Sequence, residues 1–342
     1  MSVVLDFLNG IKPELTEYMY EMQAKEYKKV MPAYPSIVSP IPKDKIIGGY
    51  YKTTSAIGVN TFSERGTYEK YHEDKPQEGF SVYGTLKGTG ETISSPMELE
   101  RDWKHRAESW IRDYVKQNWA PAVEPTKDYL LGKFLARIGY IAGDAIFNQD
   151  DAARGISTEL ANPDLPYDGK PGVALSDNKH TAKNGATYYN GLAYGSGDLT
   201  GVNAVTYELG LCMKKRLIAN AFMESGRPFD NTRNPIVVCS PHLEDDWKAV
   251  NESTLNPDNA NNRKNTLQGM IKKIIAFPHL PSTVDVSIMI SEGNSILAYF
   301  SEAKMEFWEE YNPKKIWASI SLDYILTLKN FRQIVGVNCP TS

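Results

Sequence analysis

Few side chains in this sequence are spaced for chemistry, and each grouping stops short of a site. Cys239-x-x-His242 sets a thiol and an imidazole three positions apart, a spacing that could supply two metal ligands. A structural zinc needs four, and no companion pair exists in the chain. The plainer reading is a buried cysteine closing a strand. Asp177 and His180 bring a carboxylate and an imidazole into one loop. They could form a metal half-site, but an ordinary loop hydrogen bond is the simpler reading. Asp258, among Asn256, Asn259, Asn261 and Asn262, is oxygen-rich like a calcium loop. It lacks the glycine at the sharp turn and the terminal bidentate glutamate, so it reads as a solvated loop. Glu244, Asp245 and Asp246 fall in the first turn of a helix, where acidic residues complement the dipole. Nothing else in the sequence supports a catalytic acid pair there.

The glycine-rich stretches carry no nucleotide signature. Gly84-Thr-Leu-Lys-Gly-Thr-Gly90 has neither the GxGxxG order nor a Lys-Ser/Thr after its last glycine, and reads as turn glycines. Gly195-Ser196-Gly197 lacks both the GxSxG spacing and the strand that precedes a nucleophile elbow. No histidine pairs as HExxH. The expectation is a chain with no catalytic residue, no cofactor and no metal.

The elements that would position such residues are well marked. Pro13 to Lys29 has helical spacing, with Leu15, Tyr18, Met19 and Met22 on one stripe, and Pro32, Pro35, Pro40 and Pro42 then force an extended path. Residues 46–94 are rich in Gly, Thr and Tyr and poor in aliphatic side chains, which predicts a β-hairpin and loop. Ser95-Pro96-Met97-Glu98 predicts a capped helix start, with Trp103, Ala107, Trp110, Ile111, Tyr114 and Val115 behind it and Pro121 as its stop. A second helix is expected from near Thr126 to about Asn148. Helical pattern returns from Asn203 to Ser225. Ile236 to Cys239 predicts a strand that runs into a Ser240-Pro241 helix start. Strands are expected at 271–277, 284–291 and 295–300. Ile316 to Leu328 alternates almost strictly, the mark of a long half-buried strand, and Ile334 to Val337 is expected to complete its sheet.

Composition narrows the class. The chain has 342 residues, 41% of them hydrophobic and 23% charged, enough to bury a substantial core. Its net charge is −4, and no cluster of Lys and Arg forms the basic patch that grips nucleic acid. No apolar run approaches the length of a membrane span, and Met1 to Asn9 does not read as a signal peptide. Three widely spaced cysteines, Cys212, Cys239 and Cys339, fit a protein made in a reducing cytoplasm.

Three stretches, in order, resemble the Mu-like major head proteins of tailed bacteriophages. Pro166-Tyr-Asp-Gly-Lys-Pro171, followed by Leu175-Ser176 and His180, is similar to the group's "YDGKPLF…H" segment. Asn234-Pro-Ile-Val-Val-Cys-Ser-Pro-His-Leu-Glu244 resembles its strand-into-helix "LVVPPxLE". Asn265 to Leu280 resembles its "NxLxGxxxVIVxPxL" strand. The similarity runs from about residue 95 to 338, while the first 60 residues match poorly.

The resemblance implies an α+β, HK97-like capsid fold. Residues 1–45 would be an N-terminal arm, 46–94 an extended loop, and 95–199 a peripheral domain whose spine helix is 126–148. Residues 200–298 would be an axial domain, and 299–342 the return to the peripheral domain and the C-terminus. The implied function is a non-enzymatic major capsid protein, assembled in the bacterial host cytoplasm into pentamers and hexamers of an icosahedral or prolate virion shell. Its partners would be itself, a portal, a scaffold and decoration proteins, with no membrane. Double-stranded DNA would be enclosed without sequence-specific binding. Tyr68, Tyr71, Phe80, Tyr83 and Lys87 are the candidate inter-subunit contacts. Some members of this fold crosslink subunits through Lys and Asn, for which Lys87 and Asn338 are the conceivable pair. Two alternatives stand beside this reading. One is an encapsulin-type compartment of the same fold, and the other is an α/β enzyme using Asp177, His180 and Glu244.

Overall fold

The computed structural model describes residues 3–30, 32–46, 50–56, 82–89, 91–99, 107–138, 172–177, 179–182, 185–222, 228, 234–255, 264–280, 285–291, 295–310, 315–328 and 331–338. They fall into two units.

The first unit draws on residues 1–51, 89–133 and 298–326. Helix α1 (Val3–Val30) is longer than the expected segment and carries Pro13 inside it. Leu8, Leu15 and Met19, seven and four residues apart, form one fully buried stripe. They pack with Met305, Phe307, Ala318 and Ile320 of the sheet and with Ile111 and Val115 of the next helix. Aromatic side chains of this segment find partners within the chain. Tyr20 Oη donates to the Ala303 carbonyl at 3.1 Å, and Tyr34 meets Phe300 edge-on at 5.3 Å. The proline-rich stretch is not uniformly extended either. It folds into 3₁₀ turns at Tyr34–Ser36 and Lys43–Lys45, with the short strand β1 (Ser39–Pro40) between them. The Asp128 carboxylate anchors the first turn, accepting from the Ala33 and Tyr34 amides at 3.0 and 2.8 Å.

Strands β2 (Tyr50–Ala56) and β3 (Val82–Thr89) form a two-stranded ribbon. Gly84 and Gly88, read as turn glycines, lie within β3. The next strand corrects a second expectation. Glu91–Leu99 is not a helix start but strand β4, antiparallel to β13 (Lys315–Leu328) in a register from Leu99↔Ile316 to Glu91↔Tyr324. Pairing along a long strand outweighs a local capping signal. Pro96 is tolerated because β4 pairs only with β13 among the described residues, and an edge strand can spare an amide.

Helix α2 (Ala107–Tyr114) then leads through a π-helical turn, Val115–Trp119, into α3 (Ala120–Arg137). Pro121 was expected to stop this helix. The wide turn explains why it does not. The Ala120 amide reaches back five residues to the Val115 carbonyl, so the ladder is already shifted where the proline cannot donate. The expected spine beyond residue 138 lies outside the described residues. Strands β11 (Ile296–Phe300) and β12 (Lys304–Glu310) complete a sheet of order β1-β11-β13-β12, with β4 also on β13. Strand β12 was not foreseen. In it Met305 and Phe307 are buried, alternating with exposed Lys304, Glu306 and Trp308.

The second unit draws on residues 52–88, which hold most of the β2–β3 ribbon, with 134–297 and 327–342, and is built around a mixed five-stranded sheet of order β7-β14-β10-β8-β9. Its strands are β7 (Gly191–Leu192), β8 (Ile236–Cys239), β9 (Lys273–Ala276), β10 (Ser287–Ile290) and β14 (Ile334–Val337). A small pair, β5 (His180–Thr181) and β6 (Thr187–Tyr188), precedes it. The order corrects the placement of 334–337, which belongs to this sheet and not to that of β13. Helix α4 (Tyr207–Ala219) begins later than expected, because Thr206 is its cap and accepts from the Leu209 amide. Ser240-Pro241 opens a 3₁₀ turn that feeds helix α5 (Glu244–Glu252). Thus β8, α5 and β9 form a parallel β-α-β crossover, with Ile236↔Lys273 through Cys239↔Ala276 in register. Leu209, Met213 and Leu217 of α4 and Trp247 and Val250 of α5 cover the sheet face bearing Val237, Met289 and Val335.

Candidate functional site

Of the expected contact residues, Tyr68, Tyr71 and Phe80 lie outside the described residues. Tyr83 and Lys87 lie on β3, whose only partner strand among the described residues is β2. Asn338 ends β14 at a positive φ of 52°, and its amide donates to the Leu192 carbonyl at 3.0 Å.

The structure separates the pairs that could have done chemistry. Cys239 is fully buried, donates to the Ile275 carbonyl, and burial pushes its thiol up to about 12. His242 is exposed and instead contacts the Asp285 carboxylate at 2.6 Å. Asp177 is exposed, whereas His180 is fully buried in an aromatic stack, 4.4 Å from the Phe331 ring and 5.2 Å from Tyr188. The Arg332 guanidinium lies 4.6 Å over the same Tyr188 ring. Glu244 pairs with Lys248 one turn on at 2.7 Å, and Asp245 points to solvent. Gly195 and Gly197 hold positive φ values of 70° and 52° in a turn, as backbone and not as a nucleophile's frame. Among the described residues no group of three or more His, Cys, Asp or Glu side chains could hold a metal ion. No helix among them is long and apolar enough to cross a membrane.

One cluster escaped the sequence because its members come from separated segments. Arg216 of α4 pairs with Asp198 and lies 3.7 Å over the Tyr189 ring, while Tyr189 Oη donates to Asp198 at 3.0 Å. Lys179 approaches the same ring at 5.7 Å. Burial of Asp198 opposes ionisation, but hydrogen bonds from Arg216 and Tyr189, with the Arg216 charge, outweigh it and hold the carboxyl below its usual range. Burial and the Asp198 hydrogen bond push the Tyr189 phenol up. Each group is neutralised by its neighbours, so the cluster braces the 189–198 loop against α4 and offers neither a base nor a nucleophile.

The second feature is apolar. On β12 and β13, Trp308 and Trp317 stack with ring centroids 6.4 Å apart and planes at 11°. Trp308 remains 40% exposed. An exposed tryptophan beside a second one is surface of the kind that protein contacts use.

No family model matches this chain, and no curated protein is similar to it in sequence. Several solved structures are similar to it along most of its length. A chain described as "Mycobacterium phage Che8" is 11% identical, with 91% of this chain and 92% of that one covered and a TM-score of 0.47. One described as "Capsid of Ralstonia phage GP4" is 10% identical, with 88% and 86% covered and a TM-score of 0.49. A virus-like particle from Pyrococcus furiosus is 8% identical, with 94% and 98% covered and a TM-score of 0.45.

Proposed function

We propose that this chain is the major capsid protein of a tailed bacteriophage, an HK97-like shell subunit of the Mu-like group. It would build the pentamers and hexamers of a closed virion shell around double-stranded DNA. The observation that carries this reading is the β2–β3 ribbon, a two-stranded sheet with no third strand among the described residues. A lone two-stranded ribbon is marginally stable in water. Its second strand nevertheless leads within two residues into β4, which is paired along its whole length with β13. A ribbon rooted in this way gains stability by lying on another surface, and a neighbouring copy supplies one.

Other features support the same reading. The two later stretches that resemble the capsid group fall on consecutive elements, β8 into α5 and then β9. A closed shell needs heterologous contacts that close by rotation. Residues 46–94 would act as the extended loop, with Tyr68, Tyr71, Phe80, Tyr83 and Lys87 as its contacts, since aromatic side chains suit such interfaces. Residues 95–199 and the return from 299 would serve the peripheral domain and 200–298 the axial one, with 334–337 joining the sheet of the axial part. A net charge of −4 without a basic patch suits a container whose DNA must not adhere to its wall. A portal, a scaffold and decoration proteins would be the other partners.

The test is to replace residues 57–81 with an Asn-Gly turn joining β2 to β3. The expected product is a folded subunit that no longer forms closed shells. Normal shells from this variant would overturn the reading. The contents of native shells, DNA or a protein cargo, separate a phage head from an encapsulin-type compartment.

A further inference from the structure

Residues 316–321 of β13 pair with β12 on one edge and with β4 on the other, so β12 and β4 are the outer strands of that part of the first sheet. An outer strand presents a row of amides and carbonyls to any strand that comes alongside, and chains commonly guard such edges with proline, bulges or charge. The two edges differ in this respect. Strand β4 carries Pro96. Strand β12 runs seven residues with neither proline nor glycine, and β13 is its only partner strand among the described residues. Its one lysine, Lys304, is engaged by the Asp323 carboxylate at 2.7 Å. Helix α1 covers the face bearing Met305 and Phe307, while Glu306 and Trp308 are exposed on the other face, with Trp308 stacked on Trp317.

The same chain holds a strand suited to this edge. Strand β2 is also seven residues long without proline or glycine, is rich in the Tyr and Thr that strands favour, and pairs only with β3 among the described residues. Charge matches as well. The ribbon strands β2 and β3 carry Lys52 and Lys87 and no acidic residue, whereas β12 carries Glu306, Glu309 and Glu310 against Lys304 alone. Within one chain the ribbon and the sheet of β12 are separate, so the strand that adds to β12 comes from another copy.

We propose that the outer edge of β12 takes the β2 strand of a second copy, so that the ribbon of one subunit extends the sheet of the next. This contact rests on the shell reading above and names the acceptor surface that the reading requires. Backbone hydrogen bonds hold the added strand, as in other strand-addition contacts. Glu306 attracts Lys52 across the new pair, and the Trp308–Trp317 stack meets Tyr50 and Tyr51, since opposite charges and aromatic side chains stabilise neighbouring strands. The ribbon thereby gains the third strand that a two-stranded sheet lacks, and an unguarded edge is closed against random pairing.

The test is photo-crosslinking of the full chain with Trp308→p-benzoylphenylalanine, irradiated after assembly. The expected product runs at twice the subunit mass on a denaturing gel, and its crosslinked peptide contains residues 50–56. Charge reversal gives a second reading that does not depend on that substitution. Lys52→Glu should raise the protein concentration needed for assembly by roughly fivefold, the upper worth of one cross-strand pair. Glu306→Lys in the same chain should reverse most of that shift. Closed shells whose crosslinks from position 308 fall outside the ribbon would overturn this contact and leave shell assembly standing. So would an assembly threshold that Lys52→Glu leaves unchanged, or one that Glu306→Lys fails to restore. A chain that forms no assembly under any condition overturns the shell reading, and this contact with it.

Discussion

Asn190 makes the sharpest test of how the second unit is held together. Its side chain is fully buried and uses three of its hydrogen-bonding positions on backbone. Oδ1 accepts from the Ala174 amide at 2.8 Å, and Nδ2 donates to the Gly172 and Phe331 carbonyls at 2.7 and 2.8 Å. The main chain of the same residue joins Ala174 on one side and Gly336 on the other. Asn190 therefore ties the 172–174 segment and the approach to β14 to the start of β7. Asn190→Leu keeps the volume and strands one amide and two carbonyls. At about 1–1.5 kcal/mol for each stranded group, the loss is about 4 kcal/mol, a large fraction of a typical folding free energy. Asn190→Asp retains the acceptor for Ala174 but turns a carboxylate oxygen toward two carbonyls. Such a carboxyl should have its pKa raised by folding, so the folded state binds the extra proton and the variant gains stability as pH falls from neutral toward 4. Urea unfolding followed by tryptophan fluorescence, at fixed protein concentration, reads both effects. A loss below about 1 kcal/mol in Asn190→Leu, or an aspartate variant that weakens as pH falls toward 4, would refute the reasoning.

Leu15→Ala, at a fully buried position on α1, should cost about 3 kcal/mol in the same assay, whereas a detached arm would give no measurable change. Trp247→Phe removes the indole bond to Ser287 Oγ at 2.9 Å together with part of a fully buried ring, and should cost about 2 kcal/mol by urea midpoint. Asp198→Asn tests the brace on α4. Because the native carboxyl titrates below its ordinary 3.8, its contribution is present above that pH and lost as pH falls through the lower folded value. The variant should lose little at neutral pH, the pair being partly exposed, and should show a shallower decline in stability below pH 3.8 than the native protein.

Where one periodicity governed a segment, its structure was legible in advance. The alternation from Ile316 to Leu328 is β13, and Ile236 to Cys239 followed by Ser240-Pro241 is β8 turning into α5. Errors arose where a distant partner overrode a local signal. Ser95-Pro96-Met97-Glu98 carries every mark of a helix start, but β13 offers it a full-length strand partner. Pro121 reads as a stop until the π-helical turn before it shifts the hydrogen-bond ladder. Ile334 to Val337 follows β13 closely in sequence yet pairs with β10 and β7, a choice of sheet that no periodicity encodes. The same holds for side chains. His180 reads as a loop histidine, and its burial depends on Phe331, about 150 positions away. The Asp198–Arg216–Tyr189 brace is likewise assembled by the fold from residues with no shared motif.

Self-association tests the central claim most directly. The full chain, expressed alone, is examined by electron microscopy across a range of salt and crowding conditions that promote assembly. Closed shells, tubes, or rings of five and six subunits are the predicted result. A protein that stays monomeric under every condition, with the β2–β3 ribbon folded onto its own body, would contradict it.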